Sequence, residues 1–253
     1  MRLLKHGTRT MRKWAIVLAA VLAVGLGLTG AASTANAATA TAGVTATTAT
    51  TSGTAVFASQ AKAAGLTSAQ AATLQAEVKA DIAKLGGTQV AANEIALPHG
   101  ASLLLPVPGQ KVARVLPGAV NLGFYTASSA RAAGLSVTTA STARAVRTPS
   151  AAGPTMCWVP ASITAGTCCP YYYICAWSST NGYGTQFNAS ACNVDQELPG
   201  SGWNANGSWM NNQTTGTQAR FLDKSHQTVY TTAAAFSFDS SYNWYPIWYI
   251  HAC

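Results

Sequence analysis

All six cysteines of this 253-residue chain (Cys157, Cys168, Cys169, Cys175, Cys192 and Cys253) fall in its last 97 residues. An even set crowded into so short a segment reads as a metal site, a redox couple, a nucleophile or a set of disulfide staples. Zinc sites are built from closely paired ligands such as C-x-x-C or H-x-x-x-H. Neither spacing occurs, and His6, His99, His226 and His251 are scattered along the chain. Disulfides are the reading that remains, provided the compartment is oxidising.

The first 37 residues speak to the compartment. Arg2, Lys5, Arg9, Arg12 and Lys13 precede an uncharged apolar run from Trp14 to Leu28, and Ala35-Asn36-Ala37 puts small residues where a signal peptidase reads. A membrane span needs about 20 apolar residues, and only 15 run here. The expectation is a signal peptide over 1–37, a secreted, extracellular product, and no membrane span in the mature chain. Of the formal charge of +8, five positive charges leave with the leader; ten Lys+Arg then stand against seven Asp+Glu, a net +3. The last 98 residues keep only Arg220 and Lys224 against Asp195, Glu197, Asp223 and Asp239, a net −2. No basic stripe is left for nucleic acid.

Composition divides the rest into zones. Residues 38–56, "ATATAGVTATTATTSGTAV", are uncharged Ala/Thr low complexity and read as a disordered arm. Residues 57–118 read as a small α+β unit, a possible pro-region. Thr67 with Gln70 makes a capping box, and Leu74, Val78, Ile82 and Leu85 form a stripe of helical period that Gly86 is placed to end. Two short strands then flank the turn Pro98-His99-Gly100. Residues 119–155 return to Ala/Ser/Thr and read as a linker, with Arg144 and Arg147 as exposed points for proteolysis.

From Met156 onward six of the seven tryptophans and eight of the nine tyrosines gather. Short aromatic or β-branched runs such as "TQARFLDK", "QTVYTT" and "YPIWYI" alternate with Gly, Asn and Ser turns, the pattern of an all-β sandwich. So small a domain leans on aromatics and disulfides for its core.

The stretch "CPYYYICAWSSTNGYG", Cys169 to Gly184, resembles the opening C-P-x-G-x-x-C-x-W/Y-x-x-x-N-(aromatic)-x-G of the secreted bacterial metalloproteinase-inhibitor family, peptidase inhibitor family thirty-six. "GSWMNNQTTGTQARFLDKSHQT", Gly207 to Thr228, is similar to its second half. The resemblance covers about residues 168–253 and implies a βγ-crystallin-like Greek-key sandwich. It also implies a short staple Cys169–Cys175 and a pair Cys192–Cys253, leaving Cys157–Cys168, with Cys168 and Cys169 free to exchange roles. Trp177 and Gly184 keep the family's aromatic-to-glycine interval, with Gly182 and Tyr183 displacing its second aromatic. In the second half Phe221 holds the first slot, while His226 and Thr228 replace an aromatic and a glycine. Hairpins with altered tips are expected.

The function implied is a non-catalytic, proteinaceous peptidase inhibitor that presents a rigid loop to an extracellular protease. Two segments qualify: the tip Ser178–Gly184, and "ELPGSGWNANGSW", Glu197 to Trp209. The second is favoured, with Leu198, Trp203 and Asn204 as contact residues and Trp203 as the apolar anchor. The alternative is a non-catalytic extracellular or cell-wall, glycan-binding module, for which Trp203, Trp209, Trp244 and Trp248 would supply a stacking platform; equally, they would fill a core short of aliphatics. Asn211, Asn212 and Thr215 match all but the last position of a βγ-crystallin calcium signature. With no carboxylate they imply at most weak calcium binding, against the plainer reading of an Asn-rich turn. No other cofactor is implied. Asp223, Ser225 and His226 are too close on one hairpin to make a hydrolase triad, and no G-x-S-x-G elbow exists.

Overall fold

The structure, a computed structural model, describes residues 47–132, 137–139, 155–158, 167–200 and 202–253. The expected signal peptide over 1–37, the arm up to residue 46 and Arg144 and Arg147 lie outside them. Helix α1 (Thr47–Ala63) begins inside the Ala/Thr run, so the arm expected to be disordered is helical from Thr47 on. Tertiary contacts supply what its composition lacks. Ala61 is buried, Phe57 packs on the core, and the Gln60 side chain accepts from Ala92 N (2.9 Å) and donates to Gly118 O (3.0 Å). Helix α2 (Ser68–Leu85) starts at the Thr67–Gln70 capping box and ends at Gly86, φ 73°. Leu74 and Val78 are fully buried, each contributing about 2 kcal/mol of transfer free energy, and Ile82 and Leu85 pack against the same core.

Strands β1 (Thr88–Ala91), β2 (Glu94–Ala96) and β3 (Ser102–Leu104) form a meander. Its second turn takes left-handed backbone at His99 and Gly100. The segment read as a linker instead contributes β4 (Tyr125–Thr126), α3 (Ala127–Ala132) and β5 (Val137–Thr139). Next come β6 (Thr155–Trp158), β7 (Thr167–Cys169), β8 (Ile174–Trp177), β9 (Gln186–Ala189), β10 (Asp195–Glu197) and β11 (Asn206–Asn211). Last are β12 (Arg220–Leu222), β13 (Thr228–Thr231), β14 (Ser237–Asn243) and β15 (Tyr249–His251).

Three sheets result among the described residues. Their orders are β1-β2-β3-β9-β8-β11-β14, β10-β15-β12-β13 and β4-β7-β6-β5. Of the run β8–β11, three strands stay together and β10 crosses to the sheet of the following run. Of the run β12–β15, three stay together and β14 crosses back. The two C-terminal runs thus exchange their third strands. The meander β1–β3 extends the first sheet through β3–β9 pairing, with Leu103 opposite Phe187, so residues 57–118 share a sheet with the C-terminal strands instead of standing apart. Val44–Cys253 is a single compact unit, without a boundary at 118 or 155.

The central strands of the long sheet are buried on both faces. Ile174, Ala176, Phe187 and Trp209 face the main core with Phe221, Trp244 and Ile250. Their alternates Cys175, Trp177 and Met210 join Met156 and Cys169 in a second cluster, the period-two alternation of a strand. Gly207 sits where any Cβ would collide with the Trp244 indole and the Trp177 carbonyl, which Trp244 Nε1 reaches at 2.9 Å. The cysteines pair as Cys157–Cys168, Cys169–Cys175 and Cys192–Cys253. The last pair fixes the C-terminus, and β15 is docked between β10 and β12. The C-terminal region is therefore β-rich and disulfide-stapled.

Candidate functional site

The favoured loop does not present what was expected of it. Leu198 is 2 % and Trp203 3 % exposed, and only Asn204 lies in solvent. The Trp203 ring stands edge-on to Trp244 (5.6 Å) and Phe187 (6.4 Å). A glycine-rich stretch lets the chain fold back so that the Trp203 side chain is buried in the core; Trp203 is a core residue and offers no anchor to a partner. The other tip is also occupied. Gly182 N donates to Ser208 Oγ (2.9 Å), Gly184 N donates to Lys111 O (2.7 Å), and Val112 bridges to Gly184.

The glycan platform dissolves for the same reason, since Trp203, Trp209 and Trp244 are buried and only Trp248, at 39 %, keeps an exposed face. The calcium reading fares no better. Asn211 and Asn212 are buried near the end of β11 while Thr215 is exposed on the following turn. Asn211 Nδ2 donates to Thr217 O, Thr232 Oγ1 and Ala233 O, and its Oδ1 accepts from Gln213 N (3.3 Å). The turn's left-handed position is Gly216, not an asparagine. The Asn211 and Asn212 side chains are thus engaged within the protein, and no cluster of three His, Cys, Asp or Glu able to hold a metal occurs among the described residues.

Asp223 and His226 also part company. Asp223 Oδ1 accepts from Ser225 N and Gln227 N, holding the β12–β13 turn, in which His226 takes φ 60°. His226 Nδ1 lies instead 2.6 Å from Asp195 Oδ2, and His251 Nδ1 lies 2.7 Å from Asp195 Oδ1. One carboxylate thus bridges two imidazoles across β10, β15 and the β12–β13 turn. Burial works to raise the Asp195 pKa, but the hydrogen bonds from His251 and His226 outweigh it and hold the carboxyl below its ordinary range. A cleft of about 340 Å³ is lined by Leu104, Ala113, Val115 and Phe124 with Arg114 and Gln186. Gln186 already engages Thr167, Cys168 and Asn188.

What sequence reasoning passed over is the turn inside the expected staple Cys169–Cys175. Cys169–Cys175 brackets a turn in which Tyr173 N donates to Pro170 O (3.4 Å) and Tyr172 takes φ 79°. That left-handed conformation costs an L residue about 1–2 kcal/mol. The motif quoted above has glycine at this position, and Tyr172 replaces it. The side chain is 52 % exposed and its ring lies 4.1 Å from that of Tyr171, tilted by 46°. Asn212 fixes the turn from behind: its O accepts from Tyr172 N (3.0 Å), its N donates to Tyr173 O (2.9 Å), and Nδ2 donates to Cys169 O (3.0 Å). The result is an aromatic pair projected on a rigid base. The signal that would have found it is the bulky residue in a glycine slot.

No family model, curated protein or solved structure matches this chain.

Proposed function

We propose that the chain is a secreted, non-catalytic peptidase inhibitor that docks through the stapled turn Pro170–Tyr173 of a βγ-crystallin-like body. The mutual exchange of third strands between β8–β11 and β12–β15 supports the paired Greek-key reading, and three disulfides suit an oxidising compartment.

The observation that carries the functional reading is Tyr172, exposed and held left-handed where glycine would cost nothing. Local strain kept at an exposed, over-determined position is a mark of function. Tyrosine supplies a large, stiff contact at little entropic cost, and a loop already fixed by a disulfide loses little more on docking. The tilt between the two rings suits a protein pocket better than the flat face of a sugar. A left-handed turn does not lie extended along a cleft, so Tyr171 and Tyr172 enter its mouth as a plug and no bond of the loop is aligned for cleavage.

The test is to titrate the full secreted chain against a thermolysin-like metalloprotease and a subtilisin-like serine protease. Inhibition of one of them at or below micromolar concentration, lost by at least tenfold in Tyr172→Gly without any fall in melting temperature, is the expected result. Failure to inhibit either protease, or inhibition untouched by Tyr172→Gly, rejects the assignment.

A further inference from the structure

A second surface stands out by its charge. Lys224, the single lysine of the last 98 residues, places Nζ 5.1 Å from the centre of the Trp248 ring. Lys84, from the last turn of α2, places Nζ 5.7 Å from the same ring. Two ammonium groups from positions 140 residues apart in sequence thus converge on one half-exposed indole, which itself belongs to a segment of net charge −2.

The arrangement is built, not incidental. Trp248 N donates to Leu222 O and Trp248 O accepts from Leu198 N, both at 2.8 Å, so the ring's backbone is pinned from two sides. Lys84 Nζ donates to Leu198 O at 3.2 Å and pairs with Glu197 at 3.3 Å. It also lies against Gly200, where a Cβ would press on the ammonium group. Lys224 has no carboxylate partner among the described residues. Two like charges held over one ring repel each other, and Glu197 neutralises only Lys84. An ammonium group with no carboxylate partner beside a part-exposed indole matches a ligand that brings an anion and a flat apolar face together.

We propose that Trp248, Lys224 and Lys84 form a binding site for an anionic glycan, the sugar ring lying against the exposed part of Trp248 and its carboxylate reaching the lysines. The site is separate from the stapled turn and does not depend on the inhibitor reading.

The probe is a galacturonate hexamer, with its fully methyl-esterified form as the neutral counterpart, titrated calorimetrically into the full secreted chain at low salt. Binding is expected to the acid form and to weaken at least tenfold on esterification. Trp248→Ala and Lys224→Gln should each weaken it at least tenfold, whereas Lys62→Gln, an exposed lysine on α1, should change it less than twofold. Each variant is first shown to keep the parent melting temperature within a few degrees; should Trp248→Ala fail this, Trp248→Tyr, which keeps a ring, replaces it and should retain binding. No binding of the acid hexamer overturns the proposal. So does an equal loss in Lys62→Gln and Lys224→Gln, which would mark nonspecific charge attraction, or full affinity in Trp248→Ala.

Discussion

Tyr172 holds a backbone conformation that glycine adopts freely, at φ 79°. Replacing it by glycine relieves about 1–2 kcal/mol of steric cost and gives back about 0.5–1 kcal/mol through the looser unfolded chain. The expected outcome is a net gain of roughly 0.5–1 kcal/mol, measured as a higher denaturant midpoint in the same variant that loses inhibition. A residue kept there for stability would give the opposite sign. Glu94 tests the interior. It is fully buried with Oε2 unpartnered, and burial raises its carboxyl to about 7 against one hydrogen bond from Leu122 N. A carboxyl raised in the folded state leaves stability intact below its unfolded pKa of about 4.3 and drains it as pH climbs through the folded value. Glu94→Gln should therefore melt higher relative to the parent at pH 8 than at pH 4.5; a pH-independent difference would refute the assignment. Neither residue stood out in the sequence. Trp203 did, for the wrong role: a glycine-rich neighbourhood reads as surface loop, and only the distant Phe187 and Trp244 make it core.

Among elements, α2 was legible because its signals are local. A capping box, a helical stripe and a terminal glycine lie within about twenty residues, and each is where the helix begins, packs or ends. β12, β13 and the start of β15 were legible as strands for similar reasons, but their partners were not. Which strand crosses to which sheet depends on contacts far apart in sequence, such as Asp195 opposite His251. That pair belongs to the carboxylate clamp that ties β10 to β15 and to the β12–β13 turn. Because the folded pKa of Asp195 is lowered, the stability it contributes is present above its unfolded value of about 3.9 and is lost as pH falls through the folded one. Asp195→Asn should cost about 1–2 kcal/mol near pH 7, allowing for the exposure of His226. Thermal melts from pH 7 down to pH 2 should find the parent and variant converging at the acid end. Parallel curves would mean that the carboxylate does not carry the clamp.

At the scale of the molecule, composition misled. The Ala/Thr arm, the small α+β unit and the linker look like separate pieces because their residue usage differs from that of the aromatic C-terminal region. Burial ignores such borders. α1 and α2 pack on the same core as Phe221 and Trp244, and β3 covers the edge of β9. Removing residues before Met156 would expose that edge as a row of unpaired backbone groups, an invitation to aggregate. It would also strip Leu74 and Val78 from the core, about 2 kcal/mol each in transfer free energy before any cavity cost. A domain of under 100 residues rarely carries such losses, since its whole stability is about 5–15 kcal/mol. The fragment Met156–Cys253 is accordingly expected to aggregate or to melt without a cooperative transition, whereas Val44–Cys253 should unfold in one. Size-exclusion chromatography and circular-dichroism melts of the two, with disulfides formed, decide between these outcomes. A monomeric fragment melting within a few degrees of the longer chain would show that the N-terminal helices and meander rest on the β-rich region without supporting it.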